Sequence, residues 1–237
     1  MTTICLPDAG ARELLGELPD GIETVTWDGT GPAPPGITDA SLLVAPFGPM
    51  ALSAEALAQL PALEVIQLLS AGAEAWLGHV PDGVVLCNAR GAHGGSTAEL
   101  AVAGILSLLK DLAKFEQTKQ THEWARGETD GLVGKRVLIL GAGDIGRRIA
   151  AVAQIFDAEV TFVGRRVRAG VHGVADLPHL LPQHEIVVIA LPHTPQTVRL
   201  VDASFLAAMP DHAMLVNIAR GPIVDTDALL AELGTRR

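Results

Sequence analysis

The chain has no tyrosine, and phenylalanine and tryptophan alone bring aromatics to 3% of its 237 residues. Stacking on unpaired bases, the usual way to hold single-stranded nucleic acid, is therefore scarcely available. Positive charge is short as well: 17 Lys and Arg against 27 Asp and Glu leave a formal net charge of −10. Such a surface repels a phosphate backbone, so no nucleic-acid partner is expected. Cysteine is limited to Cys5 and Cys87, far apart and each inside an apolar run. That spacing excludes a disulfide framework or a CxxC-type zinc site and reads as two buried thiols in a reducing compartment. The longest apolar run, AELAVAGILSLLKDL, meets charge too soon to span a bilayer, so no membrane partner is expected. The start, MTTICLPDAG, lacks a basic segment leading into a long apolar stretch. No secretory signal is read there, and a soluble cytoplasmic protein is the expectation.

What is present is enough for a large core. Hydrophobic residues make up 49% of the chain and charged residues 19%, a balance that disfavours disorder. Short apolar or β-branched runs alternate with helical stretches throughout. TTICL, ETVTW, SLLVAP, LEVIQLLS and VVLCN read as strands in the first half. ARELLGEL and SAEALAQL read as helices between them, the second opened by Ser53 as N-cap. A long helical segment is expected from Thr97 to Glu123, apolar early and charged late. RVLIL, EVTFV, EIVVIAL and AMLVN then form a second strand series. Strands joined by helical crossovers imply parallel sheets covered on both faces. The expectation is α/β with two parallel-sheet domains, residues 1–96 and 97–237, divided near Ser96.

VLILGAGDIGRRIA places Gly141, Gly143 and Gly146 in a G-x-G-x-x-G pattern, with Asp144 and Ile145 between the last two, after a buried strand and before an amphipathic helix. Gly141 allows the tight turn, Gly143 lets a pyrophosphate approach the backbone, and Gly146 lets helix and strand pack closely. The free N–H groups at the helix start then hold phosphate. A dinucleotide site is the reading. The next strand of such a unit usually ends in an acid that binds the adenosine ribose. Here EVTFVGRRVRAG ends in Gly164, Arg165 and Arg166, with Arg168 close behind. Guanidinium groups without the acid suit a 2′-phosphate, favouring NADP(H) over NAD(H). A solvated basic loop at a strand end is the other reading.

These segments, together with VVIALPHTPQTVRLVDASFLAAMPDHAMLVNIARGPIVDTDALLAEL, resemble the nucleotide-binding domain of D-2-hydroxyacid dehydrogenases. In the first half, QLLSAGAEAW resembles that family's substrate loop, and NARGAHGGSTAELAVAGILSLL its hinge and long helix. The arginine-rich loop is similar to that of glyoxylate/hydroxypyruvate reductases. The resemblance implies a flavodoxin-like substrate domain over 1–96 and a Rossmann domain over 97–237. It implies that Arg220 binds the substrate carboxylate and polarises the carbonyl, with the amides of Ala71 and Gly72 holding that carboxylate. It also implies that Pro192, His193 and Ile218 line the cofactor site, that a small 2-oxo or 2-hydroxy acid is the substrate, and that the protein is a homodimer.

In the family a histidine general acid and a glutamate that tunes it follow the segment matched by NIARG. The resemblance therefore implies a Rossmann domain without its last strands and a shortened enzyme, whether fragment, early stop or genuine short form. Of the histidines present, His193 is the leading substitute donor, and His93 in GAHGGS is expected to serve loop hydrogen bonds. A non-catalytic protein that senses or sequesters NADP(H) is the alternative.

Overall fold

The computed structural model describes residues 1–48 and 51–235. The chain divides into two units, Met1–His93 and Gly94–Arg237. The first contains strands β1 (Thr2–Leu6), β2 (Ile22–Thr26), β3 (Ala40–Val44), β4 (Val65–Gln67) and β5 (Val85–Cys87). They form one parallel sheet in the order β2-β1-β3-β4-β5, the flavodoxin-like arrangement. Helices α1 (Ala9–Leu15) and α2 (Ala54–Leu57) begin on side-chain caps. Asp8 accepts from Ala11 N at 2.7 Å, and Ser53 from Ala56 N at 3.2 Å, as its N-cap reading required. Cys5, Leu43, Ile66 and Trp76 lie in the core of this unit.

In the second unit α3 (Gly94–Leu109) and α4 (Leu112–Gln120) come first. Then follow β6 (Arg136–Leu140), α5 (Asp144–Ile155), β7 (Glu159–Val163), β8 (Val171–His172) and α6 (Leu177–Leu180). The series continues with β9 (Ile186–Ile189), α7 (Ala203–Ala208), β10 (Met214–Asn217) and α8 (Thr226–Thr235). The sheet is parallel, in the order β10-β9-β6-β7-β8. Apart from the exposed Arg136 that opens β6, strands β6 and β9 are apolar throughout because both faces are covered. Val137, Ile139, Ile186 and Val188 face a core with Ala101 and Ile105 of α3 and Ile149 of α5. Their neighbours Leu138, Leu140, Val187 and Ile189 face the opposite core, with Phe205, Leu206 and Ile223.

Two expectations need correction. The segment Thr97–Glu123 is not one helix: α3 ends at Leu109, Asp111 takes a left-handed φ of 50°, and α4 starts afterwards. Aspartate tolerates that conformation better than most residues, and one such residue ends the helical hydrogen-bond ladder. The two thiols also differ. Cys5 is fully buried, donates to the Trp27 carbonyl at 3.5 Å, and is pushed up to about 11 by burial. Cys87 is only half-buried. Among the described residues no helix is long and apolar enough to cross a membrane.

Candidate active site

The chain leaves β6 for β7 on one side and later returns to β9 on the other, so the strand order reverses between β6 and β9. In open α/β sheets the carboxyl ends at such a reversal leave a crevice where ligands bind. Gly141 stands at that end of β6 with φ 119°, and a side-chain carbon there would fall on the Ala190 carbonyl just beyond β9. Gly146, in the first turn of α5, is as confined: an added carbon would strike the Gly141 carbonyl and lie 3.1 Å from Ile139. Gly143, which precedes α5, differs from both, since an added carbon would meet no atom within 4 Å. The first and third glycines answer to packing within the protein. The second faces open space at a helix N-terminus.

Between these glycines, Ile145 packs into the core beside α3, while Asp144 stands at the first position of α5. Arg148 Nε donates to Asp144 Oδ1 at 3.0 Å, and Oδ2 is buried without a partner among the described residues. That oxygen lies against Gly94, where a side-chain carbon would overlap it. The Ala142 carbonyl accepts from Arg147 Nε at 3.3 Å and from Arg168 Nη2 at 3.4 Å. Arg168 and Val171 form a bridge that folds the basic loop back on itself.

The parallel sheet carries the other positions of this unit to the same edge. Arg165 and Arg166 follow β7 and are exposed, with no carboxylate among the described residues paired to either. Pro192 and His193 follow β9. Thr197 fixes their loop, donating through Oγ1 to the Pro192 carbonyl at 2.8 Å and accepting from Thr194 N at 2.8 Å. His193 Nε2 is buried and has no hydrogen-bond partner among the described residues. After β10, Ile218 packs against the core and donates its N–H to Ile189 at 3.2 Å. Arg220 is exposed before the 3-10 turn Gly221–Ile223, its carbonyl held by Asn217 Nδ2 at 2.9 Å and its own Nη1 on Ala219 O at 3.0 Å.

Ala71 and Gly72 belong to the first unit, in the loop that follows β4. Asn88 Nδ2 donates to the Ala71 carbonyl at 2.8 Å and Ser70 Oγ to the Gly72 carbonyl at 2.7 Å. His93 Nε2 meets the Leu69 carbonyl at 2.8 Å, the loop bond expected of it. His184 is buried, with Nδ1 on the Leu180 carbonyl at 2.6 Å. The roles of Asn88, Ser70, Arg147 and Arg168 in these loops left no mark in the hydrophobic pattern. Each side chain acts on a backbone carbonyl brought near by folding.

A glycine-cradled reversal point with basic residues at the next strand end defines a dinucleotide-binding α/β protein. A model of the D-isomer specific 2-hydroxyacid dehydrogenase family, NAD binding domain, matches residues 102–237, and the chain belongs to that family. It is 31% identical over 187 residues to glyoxylate/hydroxypyruvate reductase A of Arabidopsis thaliana, a match covering 76% of this chain and 60% of the reductase. Over 187 residues it is 28% identical to hydroxyphenylpyruvate reductase of Plectranthus scutellarioides, again over 60% of that relative's length. A solved D-isomer specific 2-hydroxyacid dehydrogenase family protein from Aeromonas salmonicida superposes with a TM-score of 0.87 at 29% identity, over 99% of this chain and 78% of that one. A dehydrogenase of the family from Xanthobacter autotrophicus, in complex with NADPH and MES, gives 0.78 at 25% identity, over 99% of this chain and 77% of the other.

Proposed function

We propose that this chain acts as an NADP(H)-preferring reductase of small 2-oxo acids of the glyoxylate or hydroxypyruvate kind. The observation that carries the reading is the pair Arg165 and Arg166 at the end of β7, where an acid would select NAD(H), beside a glycine turn open at Gly143. The residues present fit a dinucleotide: the space in front of Gly143 is what a pyrophosphate needs, and a side chain there would intrude on it. The backbone amides from Gly141 to Gly146, including those of Asp144 and Ile145, would hold the pyrophosphate. Arg165 and Arg166 would hold a 2′-phosphate by charge-assisted hydrogen bonds. Pro192, His193 and Ile218 would line the nicotinamide end. The bound dinucleotide supplies the hydride. The NADPH complex of the Xanthobacter relative supports this choice of cofactor.

Residues 1–96 are proposed to hold the substrate, and residues 97–237 the cofactor. Ala71 and Gly72 offer amides to the substrate carboxylate, and Arg220 offers a guanidinium fork that matches its geometry. The guanidinium charge stabilises the oxygen as negative charge develops on it. Reduction also needs a proton at this oxygen. His193, with its buried Nε2 unpartnered among the described residues, is the first candidate donor at this edge. A homodimer is proposed through the region of α3 and α4, where Leu100, Leu108 and Leu112, and Trp124 just beyond, are all more than half exposed. A cytoplasmic location is proposed with this reading.

The test is loss of reduced-nicotinamide absorbance with NADPH and glyoxylate or hydroxypyruvate, for the wild type and Arg220→Ala. Turnover that falls about 10²–10³-fold in the variant, at unchanged NADPH affinity, is the expected result. NADPH binding without turnover over a broad panel of 2-oxo acids would contradict it and favour a protein that senses or sequesters the cofactor.

A further inference from the structure

We propose that Ser70, Asn88 and His93 are positioning residues that hold residues 69–72 with the Ala71 and Gly72 amides presented as a carboxylate-binding loop. The inference rests on the carboxylate reading given above for those two amides, and it assigns what aims them. Four consecutive carbonyls in this loop are occupied. Leu69 O takes the His93 Nε2 proton at 2.8 Å, and Ser70 O takes the Ala89 N–H at 2.9 Å. Ala71 O accepts from Asn88 Nδ2 at 2.8 Å, and Gly72 O accepts from Ser70 Oγ at 2.7 Å. Just upstream, Leu68 N is anchored to Cys87 O at 2.8 Å, so the loop starts from a fixed point beside β5.

By contrast, the N–H groups of Ala71 and Gly72 reach no acceptor among the described residues. The planarity of the peptide bond connects the two facts. A carbonyl and the N–H of the following residue share one rigid plane and point in opposite directions. Fixing Ser70 O on Ala89 therefore fixes the direction of the Ala71 N–H, and fixing Ala71 O on Asn88 fixes that of the Gly72 N–H. His93 and Ser70 hold the planes on either side, so neither central peptide can flip without breaking a neighbouring bond. The donors are left toward a ligand in advance, and an acceptor with negative charge gains most from two aimed amides. Because a carbonyl can only accept, His93 must carry its proton on Nε2 for this role.

The experiment follows the Ala71 and Gly72 amides of the full chain by ¹⁵N–¹H NMR while glyoxylate is added, in the wild type, Asn88→Ala, His93→Ala, His93→Gln and the Asn88→Ala/His93→Ala double variant. The dispersion of the other amide signals of residues 1–93, read in the same spectra, checks that each variant remains folded. Saturable shifts at both amides are expected in the wild type. Glyoxylate should bind roughly 5–10-fold more weakly to Asn88→Ala and to His93→Ala, the size of one oriented hydrogen bond. His93→Gln, whose side-chain amide can donate to the same carbonyl, should recover most of the loss. The double variant should lose less than the product of the single losses, because both act on one loop. Single variants that bind glyoxylate within twofold of a responsive wild type would overturn the positioning role alone. A wild type whose Ala71 and Gly72 amides ignore glyoxylate would overturn the carboxylate reading and this inference together.

Discussion

Gly141 and Ala190 close on each other where β6 and β9 end: a side-chain carbon on Gly141 would clash with the Ala190 carbonyl. Gly141 also holds φ 119°, outside the range that other residues adopt without strain. Gly141→Ala therefore meets both a clash and a forbidden conformation. It should lower stability by about 1–3 kcal/mol, read as a fall in Tm without cofactor. An unchanged Tm would contradict this close approach.

Gly143→Ala is the opposite case. Its φ of −88° suits alanine, and the added methyl meets no protein atom within 4 Å. Tm should stay within the range of a neutral surface change, about 0.5 kcal/mol. NADPH affinity should nevertheless drop tenfold or more, because the methyl would stand where a pyrophosphate is proposed to approach the backbone. Paired melting and titration of the two glycine variants separate the glycine that serves the fold from the one that serves the ligand. Equal NADPH affinity in Gly143→Ala would contradict the assignment.

That contrast also shows what the sequence can disclose. The strands RVLIL and EIVVIAL are legible because two covered faces demand apolar residues once past their opening Arg136 and Glu185, and the glycine turn because each glycine answers a local geometric demand. The break at Asp111 is not legible: the surrounding residues are good helix formers, and a single left-handed φ leaves no periodic trace. The two-residue strand β8 hides inside a loop composition. The carbonyls of residues 69–72 escape for another reason. Their partners Asn88 and His93 lie 17 and 24 positions away from the residues they hold, so folding alone brings them together.

At the start of α7, Asp202 Oδ1 accepts from Phe205 N at 2.9 Å and from the Ser204 hydroxyl at 2.7 Å. The Phe205 amide and then that hydroxyl hold its carboxyl below its ordinary value of 3.8. Asp202→Ala should cost about 1 kcal/mol at neutral pH. Because the folded-state pKa is the lower one, the aspartate's advantage is complete above the ordinary carboxylate range. It disappears as pH falls through the depressed folded value. Melting curves of the two proteins should converge in strong acid; a gap that widens there would contradict the sign.

The two thiols should differ in reactivity. Cys5 is fully buried and held up near 11 by desolvation, so almost no thiolate forms near neutral pH. Half-buried Cys87 should be the thiol that an aromatic disulfide reagent titrates in the native protein, with Cys5 reacting only after denaturation. Two fast thiols in the native state would contradict the burial of β1.

The end of β7 is proposed to select a cofactor with a 2′-phosphate, and equilibrium titration with NADPH and NADH tests that selection. The titration is run on the wild type and the Arg165→Ala/Arg166→Ala double variant. NADPH should bind more tightly than NADH in the wild type. The double variant should bind NADPH about 10–100-fold more weakly, as expected for loss of hydrogen bonds to a charged group, and NADH almost as the wild type does. Equal affinities for the two cofactors in the wild type, or an NADPH affinity that survives loss of both arginines, would contradict it.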